Sequence, residues 1–204
     1  MGIAINYRGR LKSVDLIEPF CSELKKIAEL MEWPYTVLDE DFEKPTAARL
    51  EVSNRECEIV GHLALKGISL NVPNGCSSLG FFFDQNGFLR DLIEMVGPEP
   101  FDNENPPFTF VKTQFAPVDV HIALVKILRY LGGKYFQLFE VIDEGEYWET
   151  GDEELLKGKI AFLSQKMDVV SQALENTHLE VEPGDSDLDI IAKIDKIFRD
   201  MINP

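Results

Sequence analysis

The sequence has few of the residues that build covalent cross-links. Its three cysteines, Cys21, Cys57 and Cys76, are an odd number, and no two have Cys-x-x-Cys spacing. This argues against a disulfide framework and against a structural zinc site. Long apolar runs are also missing: none approaches the ~20 residues of a membrane-spanning helix, and the N-terminus lacks the apolar segment of a secretory signal. We therefore expect a protein of the reducing cytoplasm that does not bind membranes.

Basic residues are scarce. The 204-residue chain has 20 lysines and arginines against 36 aspartates and glutamates, which gives a formal net charge of −16. Nucleic-acid backbones and anionic membranes would be repelled by such a chain, so neither is expected as a partner. The apolar fraction of 45% is ordinary for a folded protein. An acidic, globular protein follows, with a protein or small-molecule partner still unknown.

The signatures of common enzymes are absent as well. The sequence contains no Walker loop, no Gly-x-Gly-x-x-Gly after a strand, no Gly-x-Ser-x-Gly elbow and no His-Glu-x-x-His. No cofactor and no metal ligand set is therefore predicted.

What is present is a strand–helix–strand pattern near the N-terminus. Polarity alternates over residues 3–11, which predicts a half-buried strand. Apolar residues at helical spacing predict a helix over 15–31, and residues 35–39 predict a second strand.

The same pattern returns later in the chain. It predicts a strand at 108–115, a helix at 117–132 that ends at Gly132-Gly133, and a strand at 136–142. Because 136–142 is apolar on both faces, we expect it at the centre of a sheet. The two units indicate either a structural duplication or the chance recurrence of a common motif.

The remaining segments complete the predicted fold. Residues 67–73 and 79–83 predict strands, 89–96 fits strand or helix, and 44–58 and 97–107 predict loops. We predict that residues 1–204 form a single domain with an α+β fold. Its core is a single mixed β-sheet of about six strands in residues 1–150, with two packed helices from the two β-α-β-like units.

Residues 151–204 are predicted to form a C-terminal helical hairpin. Apolar residues recur at steps of four and three from Leu156 to Leu174, and Pro183-Gly184 separates this helix from a second one that follows Ser186. The apolar stripes on the first helix are compatible with two kinds of packing. They pack within one chain, or they join two copies in a homodimer.

The densest group of chemically active residues is the loop 143–152, which follows the strand at 136–142. Carboxylates suit a hard cation such as Mg²⁺ or Ca²⁺, and the adjacent aromatic pair suits stacking on a ligand. The spacing fits no EF-hand, and carboxylates before a helix also favour its dipole without any ligand. The candidates here are Asp143, Glu144, Glu146, Tyr147, Trp148 and Glu149.

Four polar residues outside this loop are further ligand-binding candidates. His121 lies on an apolar helix face, where a hydrogen-bonded core histidine is the simpler interpretation. Arg8 and Arg10 share one face of the first strand, and Gln114 lies on another strand. If those strands are neighbours, the side chains converge on Asp143 or Glu144, either as a ligand cluster or as a structural salt bridge.

Three stretches of sequence carry a resemblance to a known group. The stretches GIAINYRGRL, KTQFAPVDVHIALVKILRYLGGKYF and DEGEYWETGD resemble an uncharacterised family of small bacterial proteins. The resemblance covers the first strand and helix and residues 108–175, and it implies no activity and no catalytic residue.

The function we expect is that of a non-enzymatic cytoplasmic binding or regulatory protein with an acidic surface. The alternative is a carboxylate-centred enzyme, possibly dependent on a divalent metal, that uses the loop 143–152. The two hypotheses differ in whether those carboxylates converge with His121 or Arg8 in a concave pocket.

Overall fold

A computed structural model describes residues 2–53, 56–97, 106–176, 186 and 192–193 of the chain. The chain divides into two compact units, residues 1–160 and 161–204. The strands are β1 (Ala4–Leu11), β2 (Tyr35–Asp39), β3 (Arg49–Ser53), β4 (Glu56–Val60), β5 (Lys66–Leu70), β6 (Leu79–Phe83), β7 (Leu89–Arg90), β8 (Thr109–Lys112) and β9 (Phe136–Asp143). The helices are α1 (Ile17–Leu30), α2 (Val118–Tyr135), α3 (Tyr147–Thr150) and α4 (Glu153–Asn176).

The fold is α+β, but its strands do not form the single mixed sheet of about six strands that the sequence predicted. In the described part of the chain they divide into three sheets: β8-β1-β9, β2-β5-β6-β7 and the hairpin β3-β4. Every pairing is antiparallel. The first two sheets are linked where Arg10 bridges Phe88, and the Tyr7 hydroxyl donates to the Gly80 carbonyl over 2.8 Å.

The three-stranded sheet positions the residues that concern function. β1 is its central strand and runs antiparallel to both β8 and β9, so these two run parallel to each other. α2 connects them in a split β-α-β arrangement. Among the described strands β9 is therefore an edge strand, and the prediction that 136–142 is central was wrong. Its apolar residues do lie on both faces, but only one face is covered by the core.

The first strand–helix–strand unit has a different outcome. After β1 and α1, the chain enters β2, which belongs to the four-stranded sheet and pairs with β5. The two units thus share a sequence pattern but not a sheet topology, because β8 and β9 lie in one sheet and β1 and β2 do not.

The core lies between the two larger sheets and the helices α1 and α2. Phe20 of α1 is its centre: its ring makes edge-to-face contacts with Phe81, Phe83, Tyr135 and Phe136 at centroid distances of 5.1 to 5.9 Å. Such pairs add stabilisation beyond the area that they bury. Other fully buried side chains include Ile5, Tyr7, Leu24, Ile68, Leu70, Leu79, Leu124 and Leu128.

Two local predictions were wrong for identifiable reasons. α2 does not end at Gly132-Gly133 but continues to Tyr135. A Cβ at Gly132 would come within 2.4 Å of the Phe139 ring, so this glycine serves packing rather than helix termination. Residues 44–58 are not only a loop, because they contain β3 and the start of β4, whose polar composition hid the strands.

The segment 89–96 contains both structures that the sequence left open: β7 and a 3₁₀ turn at Glu94–Val96. Within the described residues, no helix is both long and apolar enough to cross a membrane. The predicted second helix of the C-terminal hairpin lies almost wholly outside the described residues, and so does most of the predicted loop 97–107.

Candidate functional site

A buried polar network crosses the inner face of the three-stranded sheet. The hydroxyl of Thr113, just after β8, lies 2.7 Å from Nδ1 of His121 in α2. Nε2 of His121 lies 3.1 Å from Oδ2 of Asp143, the last residue of β9. Because a carboxylate only accepts, Nε2 donates to Asp143 in this bond. The Thr113 hydroxyl lies within hydrogen-bond distance of both His121 Nδ1 and the Ile3 carbonyl.

Asp143 is the centre of this network. Oδ1 accepts the Gly145 N–H over 2.7 Å, and Oδ2 accepts the Trp148 N–H over 2.9 Å as well as the histidine. Burial by itself would raise the pKa of Asp143, but the bonds from His121 and the two backbone groups outweigh it and hold the pKa below the ordinary value. The carboxylate therefore stays ionised and organises the turn that follows β9.

A hydroxyl, an imidazole and a carboxylate in one chain of hydrogen bonds are the residue types of a nucleophilic triad. Here, however, Thr113 and His121 are completely buried, and Asp143 is only 4% exposed. A catalytic hydroxyl must contact its substrate, and this one contacts His121 and the Ile3 carbonyl instead. The arrangement satisfies buried polar groups, which is what a folded core requires of them.

The other carboxylates of the loop 143–152 lie apart from His121. Glu144 accepts the Ala4 N–H over 2.8 Å, and Glu146 forms an ion pair with Lys159 over 2.8 Å. Glu149 is exposed. In the described part of the chain, no group of three or more His, Cys, Asp or Glu side chains is arranged to hold a metal ion.

The aromatic pair of the loop is also occupied by structural contacts. Tyr147 and Trp148 are half-buried against the core, and their carbonyls accept from the Arg129 guanidinium. That guanidinium also lies over the Trp148 ring, 5.3 Å from its centroid. The loop thus fastens the end of β9 to α2, and the candidates Tyr147 and Trp148 have little surface for stacking on a ligand.

The predicted arginines lie on the opposite, outer face of the sheet. Arg8 faces Glu140 across the β1–β9 ladder, and its guanidinium forms an ion pair with that carboxylate over 2.7 Å. It does not converge with Asp143, which pairs with Ile5 on the inner face. Gln114 is half-buried and lies beside Gly2, at the far end of β1 from Arg10.

The register of the three strands brings further side chains to this outer face. Ile142, Glu140 and Leu138 lie opposite Asn6, Arg8 and Arg10 on one side of β1. Phe110 and Lys112 lie opposite Asn6 and Ala4 on the other. Phe108 and Phe88 contact Arg8 and Arg10 at 4.4 and 4.8 Å from their ring centroids. We call this surface the outer sheet face; its residues are Arg8, Arg10, Phe88, Phe108, Phe110, Lys112, Leu138, Glu140 and Ile142.

Several large apolar side chains of the outer sheet face are open to solvent. Leu138 is 65% exposed, Ile142 48% and Phe110 46%. Arg10 is exposed as well; its Nε donates to the Asn86 carbonyl over 3.2 Å, and no described carboxylate pairs with it. Among the described residues of this face, three cations lie with one carboxylate, on a chain of net charge −16.

Sequence reasoning identified the arginines but not the apolar side chains beside them. The signal was present, since Leu138 and Ile142 alternate with Phe139 and Val141 along 136–142. That doubly apolar pattern predicts a central strand, whereas in the structure it belongs to an edge strand with one exposed face. Thr113 was missed because a single threonine after a strand has no distinguishing pattern.

A separate groove of about 870 Å³ lies between α1 and the strands β2 and β5. Its walls mix both charges with apolar surface; Lys66, for instance, is paired with Asp39 over 2.7 Å. The Cys21 thiol lines the groove, but burial raises its pKa to about 11. At neutral pH this cysteine is a thiol and not a nucleophilic thiolate.

The chain matches no protein-family model, no curated protein and no solved structure. What the fold defines is an α+β protein built around a split β-α-β sheet with one exposed, arginine- and aromatic-rich face.

Proposed function

We propose that the chain is a non-enzymatic binding protein and that the outer sheet face is its docking surface for another protein. The observation that carries this proposal is the row of exposed apolar side chains flanking Arg8 and Arg10 on a sheet face. Arginine and aromatic residues are enriched among the interface residues that contribute most of the binding energy. The solvent-exposed face of an ordinary antiparallel sheet instead carries mainly polar side chains.

The chemistry of the partner follows from the charges. Arg10 and Lys112 are exposed cations on a strongly acidic chain, so a partner with a carboxylate is attracted here and repelled elsewhere. A guanidinium that stacks on a phenyl ring keeps its in-plane N–H groups available for a carboxylate. The partner we propose is a protein segment that presents an aspartate or glutamate next to apolar side chains.

The enzyme alternative has less support. Its carboxylates divide between a buried network with His121 and separate contacts with Ala4 and Lys159. Arg8, the cation that was expected beside them, lies on the other face of the sheet. A concave, open pocket that brings these groups together was the feature that the enzyme hypothesis required.

A selection from a display library of random peptides of about twelve residues tests the proposal directly. Peptides selected on the wild-type protein should carry an acidic residue beside apolar ones. Their affinity should fall at least about tenfold for Arg10→Glu, because a lost charge-assisted contact becomes a repulsion. Phe110→Ser should weaken binding in the same direction by removing apolar contact.

The hairpin β3-β4 supplies matched controls. Arg49 is exposed there, and Leu50 is 42% exposed, which is similar to the 46% exposure of Phe110. Arg49→Glu and Leu50→Ser make the same chemical changes away from the outer sheet face and should leave affinity unchanged. Selected peptides that bind Arg10→Glu as well as wild type would refute the proposal. So would tighter binding of single-stranded oligouridine, since aromatic and arginine side chains on a sheet also stack RNA bases.

A further inference from the structure

In the described part of the chain, one edge of β9 has backbone N–H and C=O groups that pair with no strand. Glu144 N–H donates to the Ala4 carbonyl over 3.1 Å, so the even-numbered residues of β1 form the hydrogen-bonded pairs with β9. Because bonded and non-bonded pairs alternate in an antiparallel ladder, Phe139 and Val141 point their N–H and C=O groups away from β1. No described strand pairs with them on that side.

The sheet edges at β8, β2, β3 and β4 are protected in ways that β9 is not. At the free side of β8, Lys112 N–H donates to Ser77 Oγ and Ser77 N–H donates to the Lys112 carbonyl. β2 is five residues long and runs into Asp39 and Glu40. β3 and β4 carry several charged side chains. Short strands and charges are the usual guards against edge-to-edge pairing.

β9 has eight residues, no proline and no lysine. Its one exposed charge, Glu140, is paired with Arg8, and its other acidic residue, Asp143, is buried with His121. The helices next to it contact its inner face, where the Phe139 ring lies against Gly132 and Trp148. A long, nearly uncharged edge strand is a site for adding another strand.

We propose that the edge of β9 pairs with β9 of a second copy of the chain, antiparallel, around a two-fold axis at Glu140. This register makes Phe139 and Val141 of opposite copies the hydrogen-bonded pair, as the direction of their backbone groups requires. It also puts Leu138 opposite Ile142 of the other copy on the outer face, and Phe139 opposite Val141 on the inner face. Apolar and aromatic–β-branched cross-strand pairs are the favourable ones.

A second copy fits this edge because the strand is complementary to itself in that register. The neighbouring register, centred on Phe139, would place Leu138 opposite Glu140 and lose the apolar pair. In the proposed register two Glu140 side chains face each other, but each already has its own Arg8 partner at 2.7 Å. The dimer joins two three-stranded sheets into one six-stranded sheet, so the outer sheet faces of both copies become continuous.

Cysteine cross-linking reports the register. With Cys57 and Cys76, the two native cysteines that are not buried, changed to serine, Glu140→Cys should form an intermolecular disulfide on mild oxidation, because residues at a non-hydrogen-bonded pair have Cα atoms about 4.5 Å apart. Leu138→Cys alone should not, because the two copies of residue 138 are about 13 Å apart along the strands. The double variant Leu138→Cys/Ile142→Cys should cross-link again.

Light scattering of the chain without added peptide gives an independent readout. Leu138→Lys should raise the dimer dissociation constant at least about tenfold, and Leu138→Lys/Ile142→Glu should restore it through a cross-strand ion pair. Added salt should favour the dimer by screening two chains of charge −16. A monomer at every concentration would overturn the proposal, and so would equal cross-linking of Glu140→Cys and Leu138→Cys. Neither outcome depends on whether the outer sheet face binds a partner.

Discussion

The two faces of the β8-β1-β9 sheet differ in how their polar residues are used. On the inner face, Thr113, His121 and Asp143 include residue types of an active site, yet all three are buried and hydrogen-bonded to one another. On the outer face, Arg8 and Arg10 lie among exposed apolar side chains.

This difference shows why residue type is weak evidence for a functional site. Polar side chains that are buried in a core need hydrogen-bond partners, because each unpaired group costs stability, and a hydroxyl–imidazole–carboxylate network supplies them. An exposed apolar patch has no such structural purpose in a monomer, and it indicates an interaction. The proposal that follows is that the inner face serves stability and the outer face serves recognition.

The largest expected effect separates the faces at two adjacent residues of β9. Asp143→Ala should lower the free energy of unfolding by about 3–5 kcal/mol, because it leaves His121 and two backbone N–H groups without their acceptor. Ile142→Ala, on the outer face, should cost no more than about 1 kcal/mol. Urea unfolding followed by tryptophan fluorescence measures both. Equal losses would contradict the division between the faces.

A smaller effect is expected at Thr113. Thr113→Val keeps the shape but removes the hydroxyl that bonds His121 Nδ1, and it should cost about 1–3 kcal/mol. Thr113→Ser keeps the hydroxyl and should recover most of the hydrogen-bond energy, apart from the loss of one methyl group. If Thr113→Ser and Thr113→Val lower the thermal stability equally, then packing of the Thr113 methyl group, and not the hydrogen bond of its hydroxyl, is what stabilises the fold at this residue.

The smallest effect concerns pH. The lowered pKa of Asp143 means that its stabilising contribution is complete above the pKa of an unfolded aspartate, about 3.9, and is lost as the pH falls through the lower, folded value. Asp143→Asn should therefore lose less stability on acidification than wild type. Unfolding midpoints measured between pH 6 and pH 3 check this, with Ile142→Ala as the control that keeps the wild-type slope. An unchanged slope in Asp143→Asn would contradict the ionised network.

The sequence predicted most of the individual elements but not their assembly. β1, α1, α2 and β9 follow from polarity periods, because the core selects apolar residues at those spacings. The division into separate sheets depends on which strands pair, and pairing is set by contacts between residues far apart in the chain, such as Ala4 with Lys112. The hairpin β3-β4 was missed because its charged side chains resemble those of a loop.

For the candidate site, sequence periodicity placed Arg8 and Arg10 on one face but could not say which residues would lie beside them. That depends on the register between β1 and β9, which pairs Arg8 with Glu140 and not with Asp143. The contact between His121 and Asp143, 22 residues apart, likewise requires the crossover of α2. The spacing of residues along the chain predicts neither the β1–β9 register nor the contact between His121 and Asp143.

The most direct test of these assignments is one binding titration with a peptide selected on the wild-type protein, made on Arg10→Glu and on Thr113→Val at a temperature where both are folded. We expect Arg10→Glu to bind at least about tenfold more weakly and Thr113→Val to bind like wild type, although Thr113→Val is the less stable variant. Loss of binding in Thr113→Val with full binding in Arg10→Glu would contradict the assignment and place the functional site on the inner face.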